Sequence, residues 1–170
     1  MFRVLSIIML VAATCFTLVS ASSAESVAPG QPVPLLEITD LTSGGDEVTI
    51  KLDLNALEAL GSKEIVTSTI WTNGVHQFEG VPLTKLLEAF RLKGQRAKLT
   101  AINDYSVEIP LGGSINAEAI VAYRMDGQEM SRRAKGPLWL IYPFDQSSKF
   151  RTETVYARSI WQLNRIQVIE

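Results

Sequence analysis

The spacing of apolar and polar positions changes several times along the chain, and each change marks an element. Leu35–Leu41 and Val48–Leu52 are short strand-like runs, and Gly44-Gly45-Asp46 between them has the composition of a hairpin turn. Leu54, Leu57 and Leu60 then recur at helical spacing, with Asp53 placed to cap that helix and Gly61 to end it. The β-branched run Glu64–Trp71 predicts a strand closed by the turn signal Asn73-Gly74. Leu83, Leu86, Leu87 and Phe90 follow the i, i+3, i+4, i+7 pattern of an amphipathic helix over Leu83–Leu92, and Gly80 and Pro82 are read as turning the chain into it. Beyond Gly94 the pattern is again that of strands: Lys98–Ile102, Tyr105–Leu111, Ile120–Arg124, Leu138–Tyr142 and Ile166–Ile169, with a further turn at Asp126-Gly127. Strands outnumber helices and short turns join them. The predicted fold is therefore α+β, a single compact domain with a mixed, largely antiparallel sheet and short helices.

The first 24 residues have a different character. Arg3 precedes the apolar run Val4–Val19, which only Ser6, Thr14 and Thr17 interrupt, and Ser20-Ala21-Ser22-Ser23-Ala24 follows it. This is the layout of a signal peptide, with cleavage expected after Ala24 and a periplasmic or secreted product. The run is shorter than the roughly 20 apolar residues of a spanning helix, so an uncleaved anchor is the lesser reading and no membrane insertion is expected after cleavage. Residues 25–34, with Gly30, Pro32 and Pro34, read as an extended lead to a domain over 35–170.

Removal of the signal changes the chemistry available. It takes away Arg3 and no acid, leaving 15 basic residues against 18 acidic ones, a balance that disfavours nucleic acid as a partner. It also takes away Cys15, the only cysteine. A thiol-free product has no cysteine nucleophile, no disulfide, no cysteine zinc site and no sulfur ligand of its own for a soft metal.

Four phrases are more specific than the periodicity. In chain order they are Phe78-Glu79-Gly80-Val81-Pro82-Leu83 followed by Leu86-Leu87; Ala101-Ile102-Asn103-Asp104-Tyr105 with Ile109-Pro110-Leu111; Gly136-Pro137-Leu138-Trp139-Leu140-Ile141-Tyr142-Pro143; and Arg158-Ser159-Ile160-Trp161-Gln162-Leu163. Together they resemble the oxidoreductase molybdopterin-binding domain family, the catalytic fold of sulfite oxidase and plant nitrate reductase, over roughly residues 50–170. Each phrase also has a plain structural reading as a fold-specifying turn or strand. At Asp104, for instance, that reading has the carboxylate hydrogen-bonding the local backbone at a bend between strands.

The resemblance implies a molybdenum held by a pterin dithiolene and by one protein cysteine upstream of the Phe-x-Gly-Val-Pro-Leu phrase, near Ile70-Trp71-Thr72-Asn73. No cysteine stands there, and neither Trp nor Thr supplies the soft charged sulfur that the metal prefers. Where such proteins tend to carry a basic residue after Gly-Pro-Leu, this chain has Trp139. No cofactor is therefore expected, with molybdopterin as the alternative.

The candidate binding surface is the basic segment Ser131-Arg132-Arg133-Ala134-Lys135, whose Arg132, Arg133 and Lys135 can hold a phosphate or carboxylate; the alternative is a solvated loop. Arg151 and Arg158 join this set because the resembling fold gathers its C-terminal segments around the cofactor cleft. Trp71, Asp104, Tyr105 and Trp139 complete the candidate ligand-binding residues, and Tyr142 and Trp161 are further core or cleft-lining aromatics. His76, the only histidine, has no partner set for a metal or a catalytic triad and reads as a turn-flanking residue. Asp104 and Glu108, four apart, fall on one face of a strand and form a weak candidate carboxylate pair. The expected function is an exported, noncatalytic binding or sensory-partner module for a small anionic ligand or the periplasmic part of a membrane sensor. A molybdopterin-dependent oxidoreductase with atypical metal ligation is the alternative.

Overall fold

The computed structural model describes residues 33–42 and 47–170. The predicted signal segment with Cys15, the lead up to Pro32 and the turn Gly44-Gly45-Asp46 lie outside the described residues. In chain order the elements are β1 (Leu36–Asp40), β2 (Val48–Leu52), α1 (Leu54–Ala59), β3 (Lys63–Ser68), β4 (Val75–Pro82), α2 (Leu83–Ala89), β5 (Arg96–Ala101), β6 (Ser106–Pro110), β7 (Ile120–Met125), β8 (Gln128–Glu129), β9 (Leu138–Ile141), α3 (Glu153–Arg158) and β10 (Trp161–Ile169). Asp53 caps α1 as its position predicts, its carboxylate accepting from the Ala56 amide at 2.8 Å.

One mixed sheet runs in the order β2-β1-β10-β9-β7-β4-β3, with β5 and β6 attached through β10. β10 is its spine. One of its edges carries β9 beside Trp161–Leu163 and then β1, in parallel, beside Arg165–Val168; the other edge carries β5. β7 and β9 are apolar at every position from Ile120 to Tyr123 and from Leu138 to Ile141 because both of their faces are covered. Val121, Tyr123, Leu138 and Leu140 face the larger core, to which α1, α2 and α3 contribute Leu57, Leu83, Leu86, Leu87 and Val155. Ile120, Ala122, Trp139 and Ile141 face the opposite way, into a smaller core with Ile65, Phe78 and Met130. Trp71 packs against both cores.

The structure corrects several boundaries. β4 is a strand where the sequence suggested a turn: Gly80 lies inside it, at a register shift against β7, and a Cβ there would run into the Val121 carbonyl oxygen. Glycine is needed for close approach of two backbones rather than for a turn. β3 ends at Ser68, leaving Thr69–Gly74 as a loop. β10 begins at Trp161 rather than Ile166, since Gln162 adopts φ 55° and the pairing shifts register on both sides of Leu163, which breaks the alternation a strand pattern relies on. α3 spans six residues with one buried side chain, Val155, too little to leave a helical period.

Candidate functional site: an aromatic cleft at the start of the last strand

The loop Thr69–Gly74 is fastened at both ends. At its entry the Asp145 carboxylate accepts from the Ser68 amide at 2.5 Å and the Ser68 hydroxyl at 2.8 Å, while the Asp145 amide donates to Thr67 Oγ1 at 3.0 Å. Those Ser68 donors hold the Asp145 carboxyl below the usual carboxylate range. Within the loop, Trp71 N donates to Thr69 Oγ1 at 3.1 Å, and the Thr69 and Thr72 hydroxyls lie 2.8 Å apart. At its exit His76 places Nε2 2.9 Å from the Asn73 carbonyl oxygen and Nδ1 2.7 Å from an Asp126 carboxylate oxygen. The Asp126 hydrogen bond raises the His76 pKa, and His76 in turn lowers that of Asp126. The lone histidine is thus a clasp between the β3–β4 loop and the β7–β8 turn.

Held in this way, Trp71 becomes the hub of an aromatic cluster. Its ring meets Trp139 at 5.7 Å, Phe144 at 6.3 Å, Tyr156 at 5.8 Å and Trp161 at 5.6 Å between centroids, all edge-to-face. Above it opens a cleft of about 430 Å³ lined by Trp71, Tyr105, Tyr156 and Trp161 with Asn103, Ser159, Ala101, Ala157 and Ile160. No side chain in this lining carries a formal charge.

The sequence-predicted residues divide around the cleft. Trp71 and Tyr105 line it. Trp139 does not: it has no exposed surface, its indole N–H is used by the Ser159 carbonyl at 3.1 Å, and it lies beneath Trp71 and Trp161 as floor. The segment 131–135 is an ordered turn rather than a loose loop, with Ser131 capping a short 3₁₀ stretch over Arg132–Ala134 and Lys135 in the left-handed region at φ 69°. It is bolted to β10 beside Trp161, because Gln162 N donates to the Lys135 carbonyl at 2.9 Å and Gln162 Nε2 to the Arg132 carbonyl at 2.7 Å. Lys135 Nζ stands 4.4 Å from the Trp161 ring centre and 5.5 Å from that of Trp139. Arg132 and Arg133 are exposed, Arg158 is half-buried at the end of α3 next to the lining residues Ala157 and Ser159, and Arg151 is exposed.

Asp104 and Glu108 are not a carboxylate pair. Asp104 occupies the β5–β6 turn at φ 64° and pairs with Arg165, whereas Glu108 lies in β6 and pairs with Arg96. The backbone-binding part foreseen for Asp104 is taken by Asn103, whose Oδ1 accepts from Tyr105 N at 3.2 Å. Sequence reasoning missed Tyr156, Asn103 and Ser159 as cleft residues and Asp145 as the loop's anchor. Tyr156 sits on the helix too short to show a period, and Asp145 acts across 77 positions of sequence.

A family model, the oxidoreductase molybdopterin binding domain, matches residues 30–150. The chain belongs to the oxidoreductase molybdopterin-binding domain family. No curated protein sequence matches it. Among solved structures it is similar in fold to the sulfane dehydrogenase SoxCD from Paracoccus pantotrophus, with TM-score 0.54 and 13% identity over 79% of this chain. The match spans 37% of the length of that chain.

Whether this member suits the metal of a molybdopterin centre turns on its donor set. The cleft offers rings, methyl groups, an amide and hydroxyls, with no thiolate, imidazole or carboxylate in its lining. Both His76 nitrogens already face oxygen partners, and among the described residues no three His, Cys, Asp or Glu side chains gather as a metal site. These residues do not fit a protein-ligated molybdenum, which favours a soft sulfur donor.

Proposed function

We propose that this chain is an exported, noncatalytic binding module that uses the molybdopterin-domain fold to take up a small anionic molecule. The observation that carries this reading is the lining of the cleft: the loop where the family resemblance places a cysteine presents the Trp71 ring instead, and every neighbour in the lining is uncharged and a poor metal ligand. The cations proposed to meet the anion belong to the turn held to Gln162, where Lys135 lies against the lining residue Trp161 and Arg132 and Arg133 are exposed. The partner proposed for such a module is a sensor protein in the same compartment.

Metal and pterin analysis tests this reading. The full chain is expressed in a host that makes molybdenum cofactor and exports proteins, then assayed by elemental mass spectrometry and pterin fluorescence. Neither molybdenum nor pterin is expected at stoichiometric level. Stoichiometric molybdenum overturns the reading and restores an oxidoreductase with atypical metal ligation.

A further inference from the structure

The character of the cleft narrows the ligand. We infer that it takes a flat aromatic ring bearing an anionic group, the ring lodging among Trp71, Tyr105, Tyr156 and Trp161 and the anion lying toward the Lys135 turn. This rests on the binding-module reading above and specifies its ligand.

Three observations combine. First, four of the nine lining residues are aromatic, and the rings of Tyr156 and Trp161 stand at 88° and 70° to that of Trp71, so a flat guest stacked on either wall meets Trp71 edge to face. Second, Tyr105 is 56% exposed and Trp161 37% exposed, so the mouth of the cleft shows aromatic surface to solvent while Trp139 is sealed below. Aromatic surface left exposed at a concave site marks a place where a ligand is to be covered.

The third observation sets the charge. Four aromatic walls without a fixed charge also describe a cage for a quaternary ammonium ion, which binds to the negative faces of the rings. Here Lys135 already occupies Trp161 as a cation–π partner at 4.4 Å. Its ammonium draws on the same indole quadrupole and repels a second cation nearby, while favouring an anion or an electron-rich ring. The turn's backbone is held beside Trp161, since Gln162, the residue after it, binds the Lys135 and Arg132 carbonyls.

A probe set varying ring and charge separately decides the matter. Phenylacetate carries both ring and anion; cyclohexylacetate keeps the anion without the ring; phenylacetamide keeps the ring without the charge; phenethylammonium reverses the charge. Each is titrated into the full chain by calorimetry, with the indole N–H resonances of Trp71 and Trp161 followed by NMR. Phenylacetate is expected to bind about tenfold tighter than either half-probe and to shift both indoles, with phenethylammonium weakest. In Lys135→Asn, which removes the charge but tolerates the left-handed backbone, the preference for phenylacetate over phenylacetamide should fall several-fold, phenylacetate losing more affinity than phenylacetamide.

Tighter binding of phenethylammonium, equal binding of phenylacetate and cyclohexylacetate, or no saturable binding of phenylacetate in the millimolar range would each overturn the inference. The metal analysis reports independently. A molybdenum-free chain that rejects phenylacetate sinks the ligand class alone, whereas stoichiometric molybdenum sinks the binding-module reading itself.

Discussion

Trp139 and Trp161 stand directly opposite one another across the β9–β10 pairing, their ring centroids 6.4 Å apart, one with no exposed surface and the other 37% exposed. The outer ring shields the inner one, so two tryptophans that look alike in sequence have different work. Trp139→Ala should cost about 3–5 kcal/mol, the range for deleting a buried large aromatic side chain. Trp161→Ala should cost only about 1 kcal/mol, since it gives up a half-open ring and the Lys135 contact. Denaturant midpoints of the two variants check this, and equal losses would mean that Trp161 belongs to the core.

The His76–Asp126 clasp should make the loop sensitive to pH. His76 has a folded pKa raised above its ordinary value of 6.5 by the Asp126 hydrogen bond. Its contribution is complete below the unfolded pKa and is lost as pH rises through the raised folded one. Asp126, held low by His76, contributes above the ordinary carboxylate pKa and loses that contribution as pH falls through the lowered value. The clasp is therefore strongest in mildly acidic solution and slackens on the alkaline side first. NMR titration of the His76 ring should give a pKa above 6.5 in the parent and a lower one in Asp126→Asn. Trp71 fluorescence should drift with the same midpoint, and a His76 pKa unmoved by Asp126→Asn would dismiss the clasp.

Removing the other fastening tests the loop from its entry side. Asp145→Ala leaves the Ser68 amide and hydroxyl without their acceptor. Because the carboxylate is exposed and water can replace it, the cost should be about 1 kcal/mol, comparable with loss of a helix cap. Hydrogen exchange at residues 68–74 should rise more than the melting temperature falls. Unchanged exchange there would show that the loop is held by its aromatic contacts alone.

Gly136 offers a sharper test of backbone packing. A Cβ at this position would overlap the Met130 carbonyl. Gly136→Ala should destabilise the domain by at least about 3 kcal/mol, above the usual effect of a single change. Gly112→Ala, where a Cβ meets nothing, is the control and should be near neutral. A soluble Gly136→Ala variant melting with the parent would refute the close approach.

Export has its own readout. The Ser22-Ser23-Ala24 site predicts a processed chain beginning at Glu25. Intact-mass measurement of periplasmic protein should return that species, and recovery of the full-length chain in the membrane fraction would reject it.

The sequence was most legible where local rules suffice. The Asp53 cap, the buried runs of β7 and β9 and the helix carrying Leu83, Leu86 and Leu87 follow from spacing and side-chain chemistry, and the ordered phrases brought out the family. What resisted was whatever depends on register. The bulge at Gln162 hid the first half of β10, and with it the placement of Trp161 over Trp139. The tight contact of Gly80 with β7 looked like a turn because close approach and reversal call on the same residue. At the site, Trp71 and Tyr105 could be singled out as aromatics, but their meeting with Tyr156 is a product of three-dimensional closure and leaves no spacing signal. The basic segment was visible as charge, and its docking on β10 was not.

The adjacency of β1 and β10 has a consequence for how the protein comes into being. The first and last strands of the described sheet lie side by side in parallel, and β10 also carries β5 and β9. A growing chain therefore lacks its spine until residues 161–169 have been made. Pairings of such long sequence separation form slowly, after the loop entropy between them has been overcome. The cleft, which takes Trp161 of β10 into its lining, therefore cannot close before that strand has been made.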